Sequence, residues 1–303
     1  MKVLVPDDLG LTELADDTGI EAVYYTPGDP WPAEHLDAPV VVVGFEKADA
    51  IGARFGDLPG LRLVQTLNAG YEQWLRHLPE GVMLSNGRGA HGGSTAEWTV
   101  AVLLAIYREL PEFVAHQAAG AWRPRTTETL IGKQVVVLGA GDLGTNLASR
   151  LEPFEVEVTL VGRSARPGVV ALDDVDALLP RADVVVAMLP GNDATHHLID
   201  AVFLAKLPDG AIVVNAGRGG AVDPDALLAE LNSGRLRAAL DVTEPEPLPA
   251  GHPLWSAPGL ILTPHVAGST AGAWERAWKV ARRQIDAYAS GENPPNLVAG
   301  QPR

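Results

Sequence analysis

Three segments in the second half of the chain place reactive side chains at the ends of aliphatic runs. VVNAGRGGAVD (213–223) sets Arg218 among glycines. ALDVTEPEPLP (239–249) carries Asp241, Glu244 and Glu246 among prolines, and LTPHVAG (262–268) sets His265 behind a proline. A histidine moves a proton near neutral pH. A carboxylate beside it orients the ring and favours its charged form. An arginine binds a carboxylate in a planar two-pronged fork that lysine cannot reproduce. A lone histidine at a strand end is more often a structural residue, so His265 gains meaning only if one fold edge gathers all three types. That set would transfer protons to or from an anionic substrate without a metal.

A fourth segment supplies the context. QVVVLGAGDLGTNLASRL (134–151) holds Gly139, Gly141 and Gly144 after an aliphatic run, and Leu143, Leu147 and Leu151 form a helical apolar stripe behind them. Glycines at this spacing give a tight turn, close approach of a pyrophosphate and close helix–strand packing, with the phosphates on the helix N-terminus. The next aliphatic run, in EVEVTLVGRSARPG (155–168), ends without the acid that holds the ribose hydroxyls of NAD. Gly162, Arg163, Ser164 and Arg166 stand there instead, a set that suits a 2′-phosphate. NADP(H) is therefore expected over NAD(H), with NAD(H) still possible.

These loops need a scaffold that ends several strands on one edge. Aliphatic runs at 134–138, 157–161, 183–188, 211–214, 238–242 and 260–263, the first five separated by helical spacing, predict a doubly wound parallel sheet of six strands. Runs at 3–5, 40–44 and 61–66 predict a smaller α/β domain ahead of it, and long helices are expected over about 94–119 and 270–290. The nucleotide domain is thus read as 95–274, inserted between 1–94 and 275–303 of the substrate domain, with the turn-rich tail packing back on the first part. A net charge of −15 argues against nucleic acid as a partner, and no apolar run is long enough to span a membrane. The chain has no cysteine, which excludes thiol chemistry and disulfides and suits the cytoplasm.

The order GAGDLG, AMLPGNDATHHLI (187–199), VVNAGRGGAVD, ALDVTEPEPLP, LTPHVAG resembles that of the D-isomer-specific 2-hydroxyacid dehydrogenase family along nearly the whole chain. The resemblance implies a Rossmann nucleotide domain inserted in a smaller flavodoxin-like α/β substrate domain. It implies reduction of a small 2-oxo acid to a D-2-hydroxy acid, as in glyoxylate and hydroxypyruvate reductases, and a homodimer joined through the 94–119 region. It assigns Arg218 to binding the substrate's carboxylate and carbonyl, His265 to acid/base work, and Glu246 rather than Glu244 to partnering the histidine. It places the substrate carboxylate on the loop LNAG (67–70), with Asn68, Ala69 and Gly70 as binding residues. The cofactor would run from Asp142, Leu143 and Gly144 past Leu189, Pro190 and Thr195. Beyond them it would meet Ala216 and Gly217, then Asp241, His265 and Gly268. Tyr71, Trp74 and His91 are candidates to shape the substrate pocket, while Arg88 has no assigned role. The formate-oxidising branch is disfavoured because it carries Gln where this chain has Glu246, and the phosphite-oxidising branch because Ala69 stands in place of a lysine. The alternative of another class is a nucleotide-sensing corepressor on the same fold.

Overall fold

A computed structural model of the chain describes residues 1–15, 19–44 and 48–300. In chain order the strands are β1 Lys2–Val5, β2 Glu21–Tyr24, β3 Val40–Val43, β4 Leu63–Thr66, β5 Met83–Ser85, β6 Gln134–Leu138, β7 Glu157–Gly162, β8 Val169–Ala171, β9 Val184–Ala187, β10 Ile212–Asn215, β11 Arg237–Leu240, β12 Leu260–Leu262 and β13 Leu297–Ala299. The helices are α1 Asp8–Glu13, α2 Ala48–Gly52, α3 Glu72–Leu75, α4 Gly92–Tyr107, α5 Leu110–Ala118, α6 Asp142–Leu151, α7 Ala201–Leu204, α8 Pro224–Asn232 and α9 Ala273–Ala289. They form two compact units, residues 1–91 with 271–303 and residues 92–270. Residues 301–303 of the expected tail lie outside the described residues.

The first unit holds a sheet in the order β13-β5-β4-β3-β1-β2. All neighbours are parallel except the β13–β5 pair, which lets the tail close the edge. The β2-β1-β3-β4-β5 core is the flavodoxin order. Alternate residues of each strand face opposite layers. Val3, Val5, Val40 and Val42 meet Trp278, Ala281 and Ile285 of α9. Leu4, Val41 and Val43 meet Phe55 and Trp74 on the other face.

The second unit holds an all-parallel sheet in the order β12-β11-β10-β9-β6-β7-β8, the dinucleotide-binding order extended by one strand. Its two faces are buried in the same alternating way. Val135 and Val137 pack with Leu103, Leu147 and Leu151, whereas Val136 and Leu138 pack with Phe203 and Leu227. Such continuous valine runs suit a strand covered on both sides. The seventh strand, β8, was not expected from the sequence. The long helix expected over 94–119 is in fact two. Glu109 breaks it with a left-handed φ of 50°, and Pro111 starts α5. A proline has no amide to donate and crowds the preceding turn, so one continuous helix could not run through it. Among the described residues no helix is long and apolar enough to cross a membrane.

Candidate active site

The glycine loop leaves β6 at Leu138. Gly139 has φ +117°, and a Cβ there would meet the carbonyl oxygen of Met188 at 2.3 Å. A Cβ on Gly144 would meet the carbonyl oxygen of Gly139 at 1.9 Å, so α6 approaches β6 only because that residue is glycine. Gly141 caps α6 without any side-chain cap, and the space where its Cβ would lie is open. The first-turn amides of Asp142, Leu143 and Gly144 therefore face a clear approach at the positive end of a helix dipole. That cradle fits a pyrophosphate. Asp142 offers its amide only, because its carboxylate Oδ1 accepts a bond from Asn146 Nδ2 at 3.1 Å.

The turn after β7 is shaped by the unexpected strand. After β7 the chain turns through 163–168, and Arg166 and Val169 pair across the turn before β8 begins. Arg163 and Ser164 are left exposed at its tip. Arg166 folds back, and its Nη2 donates to the carbonyl of Ala140 in the glycine loop at 2.7 Å. Two guanidinium groups and a hydroxyl thus stand in the turn after β7, and no carboxylate occurs between Glu157 and Asp173. The residues fit NADP(H) and have no acid for an unphosphorylated ribose.

Asn215 ends β10 fully buried and governs the arginine loop. Its Oδ1 accepts from the Gly217 amide at 3.1 Å, and its Nδ2 donates to the Arg218 carbonyl at 2.9 Å. Arg218 donates through Nη1 to the Gly217 carbonyl at 2.8 Å. Beside this loop, Thr195 spends its hydroxyl on the Pro190 carbonyl at 2.6 Å, and the His197 amide donates to the Gly220 carbonyl at 2.7 Å. The 189–199 loop is therefore tied internally and to the arginine loop. Leu189 and Ala216 stand at the strand ends next to it, with Pro190 exposed.

The two glutamates of the proline-rich loop have different partners. Glu244 takes His196 Nε2 at 3.3 Å and His197 Nε2 at 3.0 Å. Those imidazoles stack with centroids 4.0 Å apart and planes 19° from parallel. Among the described residues they form, with Glu244, the one group that could hold a cation. In this structure the three side chains hold one another as a hydrogen-bonded cluster. Glu246 instead meets His265, with Oε1 2.5 Å from Nδ1.

His265 has a left-handed φ of 55°, uncommon outside glycine. Asp241 holds it there. The buried Asp241 carboxylate accepts from the Thr263 hydroxyl at 2.6 Å and from the amides of Val266 and Ala267 at 2.8 and 2.9 Å. The His265 amide donates to the Asp241 carbonyl at 2.7 Å. Asp241, expected near the nicotinamide, thus has both carboxylate oxygens engaged in building the turn that carries the histidine and leads to Gly268. The hydrogen bond to Glu246 raises the His265 pKa above its ordinary value; burial opposes this, and the charges of Glu246 and Asp241 reinforce it. The same bond holds Glu246 below the usual carboxylate range. With Nδ1 committed to Glu246, Nε2 remains to exchange a proton with a ligand.

In the first unit the LNAG loop follows β4. The Leu67 carbonyl accepts from His91 Nε2 at 3.3 Å. The Asn68 carbonyl accepts from the Thr66 hydroxyl at 2.6 Å and the Gly87 amide at 2.7 Å, and the Ala69 carbonyl accepts from Asn86 Nδ2 at 2.8 Å. In a trans peptide the C=O and the following N–H point in opposite directions. Fixing the carbonyls of Asn68 and Ala69 therefore aims the amides of Ala69 and Gly70 the other way. Neither amide has a protein acceptor among the described residues. Two adjacent free N–H groups suit an anion. His91 thus supports this loop. Trp74, a candidate for the pocket wall, is wholly buried on Phe55 instead, while Tyr71 is partly exposed beside the loop.

Asn215 and Asn86 were not singled out in the sequence. The signal available was a polar residue closing an otherwise apolar strand, in IVVN and MLSN.

Comparison with known proteins follows the same lines. Residues 100–267 match the family model for the D-isomer specific 2-hydroxyacid dehydrogenase NAD-binding domain. A glyoxylate reductase of Thermofilum pendens is 33% identical over 268 residues, 82% of this chain and 78% of that one. The crystal structure of a D-isomer specific 2-hydroxyacid dehydrogenase from Xanthobacter autotrophicus Py2, in complex with NADPH and MES, is 28% identical, with a TM-score of 0.84 over 98% of both chains. An NADPH-dependent glyoxylate/hydroxypyruvate reductase from Sinorhizobium meliloti, in complex with NADP and sulfate, is 27% identical, with a TM-score of 0.82 over 98% of both chains. With a family model matched over more than half its length and a relative of this identity along most of it, the chain belongs to the D-isomer specific 2-hydroxyacid dehydrogenase family.

Proposed function

We propose that this enzyme reduces a small 2-oxo acid, of the size of glyoxylate or hydroxypyruvate, to the D-2-hydroxy acid with NADPH. The observation that carries the reading is the His265–Glu246 pair, in which one ring nitrogen is committed to a carboxylate and the other is left to donate. NADPH supplies the hydride when bound. The Ala69 and Gly70 amides receive the substrate carboxylate, with Asn68 shaping the loop, and Arg218 binds the carboxylate and polarises the keto group. As negative charge grows on the keto oxygen, protonated His265 gives it the Nε2 proton, and Glu246 steadies the imidazolium until then. In the reverse direction neutral His265 accepts the hydroxyl proton. The substrate relatives named above support the chain-length range of the acid. A steady-state screen of 2-oxo acids against NADPH and NADH tests the reading. Turnover of glyoxylate or hydroxypyruvate with NADPH preferred is the expected result, and no turnover with any 2-oxo acid refutes it.

Arg163 and Arg166 read the 2′-phosphate in this proposal. Arg163→Ala removes a charge-assisted hydrogen bond worth about 1.5–3 kcal/mol. NADPH affinity is expected to fall by that amount while NADH affinity changes little. Equal losses measured for the two nucleotides would show that Arg163 does not read the phosphate.

The enzyme is further proposed to act as a cytoplasmic homodimer. Leu110 and Val114 of α5 are exposed, as are Trp122 and Ile131 in the segment that follows it, Trp122 being 95% accessible, and exposed apolar side chains of this size are costly to leave in water. A second copy of the same face would cover it. Sedimentation at micromolar concentration should show a species of twice the chain mass, and a monomer alone would overturn the assignment.

A further inference from the structure

Immediately before β13 stands Asn296, buried and with every polar group engaged. Its amide donates to Gln284 Oε1 on α9 at 2.7 Å. Its Nδ2 donates to the carbonyls of Asn86 at 3.0 Å and Arg88 at 2.9 Å. Its Oδ1 accepts from Arg88 Nη2 at 3.0 Å, and its carbonyl accepts from the Asn86 amide at 3.2 Å. Arg88, which had no assigned role, is therefore a clamp on the tail. The clamped segment, 86–88, is the one that fixes the LNAG loop, through Asn86 on the Ala69 carbonyl and Gly87 on the Asn68 carbonyl. A line of buried amides thus runs from Gln284 through Asn296 and Asn86 to the loop.

We propose that Asn296 is a positioning residue for the substrate carboxylate, acting through Asn86 on the amides of Ala69 and Gly70. This rests on the reading that those amides receive the carboxylate. The physical link is the planar peptide. The carbonyl that Asn86 holds and the Gly70 amide belong to one rigid unit, so loosening the first turns the second by the same angle. Hydrogen bonds weaken steeply as the angle at the proton closes. Neither Asn86 nor Asn296 has a direct role in the proposed chemistry. Their loss should appear in substrate binding and not in nucleotide binding, whose loop belongs to the other compact unit.

The test uses the full chain with glyoxylate and NADPH. In Asn296→Ala and in Asn86→Ala, KM for glyoxylate is expected to rise about tenfold, the equivalent of one hydrogen bond to a charged group, with kcat and NADPH affinity within about twofold. Hydrogen exchange in peptides covering 67–71 should quicken in both. Because the two act in series, the double variant should be no worse than Asn86→Ala alone. Asn296→Asp keeps the acceptor for Arg88 but faces two carbonyls with no donor, so it should resemble Asn296→Ala. If Asn296→Ala does not fold, Asn86→Ser leaves the tail's bonds to Gln284 and Arg88 in place and carries the same expectation. Unchanged KM and unchanged exchange in a folded variant overturn the proposal, as does a KM that rises only in step with lost NADPH affinity. Should the natural chain turn over no 2-oxo acid, the proposed function fails separately. Exchange at 67–71 then still decides whether the tail holds the loop.

Discussion

Replacing His265 by alanine lowers kcat for 2-oxo acid reduction by roughly 10²–10⁴-fold, the range for loss of one general acid. NADPH binding stays near normal, because the glycine loop is built without this side chain. The expectation follows from the geometry of a single residue. His265 is held in a left-handed conformation by the turn on Asp241, its Nδ1 lies on Glu246, and its Nε2 is left over. Conformations of this kind cost free energy and persist where surrounding bonds enforce them. The partner gives the experiment its sign. Glu246 raises the pKa of His265, so Glu246→Gln lowers it. Reduction needs the imidazolium, and its rate should fall away at lower pH than in the natural chain. Oxidation needs the neutral ring, and its activity should extend to lower pH. Both limbs move toward acid. Glu244→Gln should leave them in place, because Glu244 is engaged with His196 and His197. A profile that moves with Glu244 and not Glu246 would reassign the partner, and near-normal turnover in His265→Ala would remove the histidine from the chemistry.

The parts of this molecule that were legible in the sequence are those where a residue type has a local reason. Gly139 is required by its own positive φ and Gly144 by its contact with the Gly139 carbonyl, both local to one strand–turn–helix unit, so their spacing announces the loop. Arg218 and His265 follow valine- and leucine-rich strands whose parallel order forces their ends to one edge. The missed features depend on pairing that spacing does not encode. The strand β8 has three residues and exists because Arg166 and Val169 close a turn beneath it. The strands β2 and β5 are also short, with four and three residues, and β2 is half exposed, which gives no apolar run to read. Asn215, Asn86 and Asn296 each hold a functional loop by bonds to backbone carbonyls, and an asparagine does not declare in sequence which carbonyl it will find. The break after α4 is readable from Pro111, a signal that the expectation of one helix over 94–119 did not use. The two glutamates two residues apart show the same limit. Residue type alone does not divide them; the family resemblance chose Glu246, and the placed loop sets it on His265 and Glu244 on the stacked histidines.

Arg218→Lys should separate charge from shape. Both side chains carry a full positive charge, so long-range attraction of an anionic substrate survives. What is lost is the fork, in which two parallel N–H groups can meet a carboxylate and a carbonyl together, and lysine offers a compact point charge on a flexible stem. Loss of one charge-assisted bond of that fork corresponds to about 1.5–3 kcal/mol, or about ten- to a hundredfold in kcat/KM. The loss should divide between both constants. KM rises because the carboxylate is held less firmly, and kcat falls because a misplaced keto carbon is a poorer acceptor. The loop itself should stand, since Asn215 fixes it through the Gly217 amide and the Arg218 carbonyl, neither of which depends on the guanidinium. NADPH affinity is therefore expected to stay within about twofold. A matched fall in nucleotide affinity would mean that Arg218 serves the cofactor. An unchanged kcat/KM for glyoxylate would leave the Ala69 and Gly70 amides as the whole carboxylate site. The variant thus decides how much of substrate recognition the planar fork of Arg218 carries.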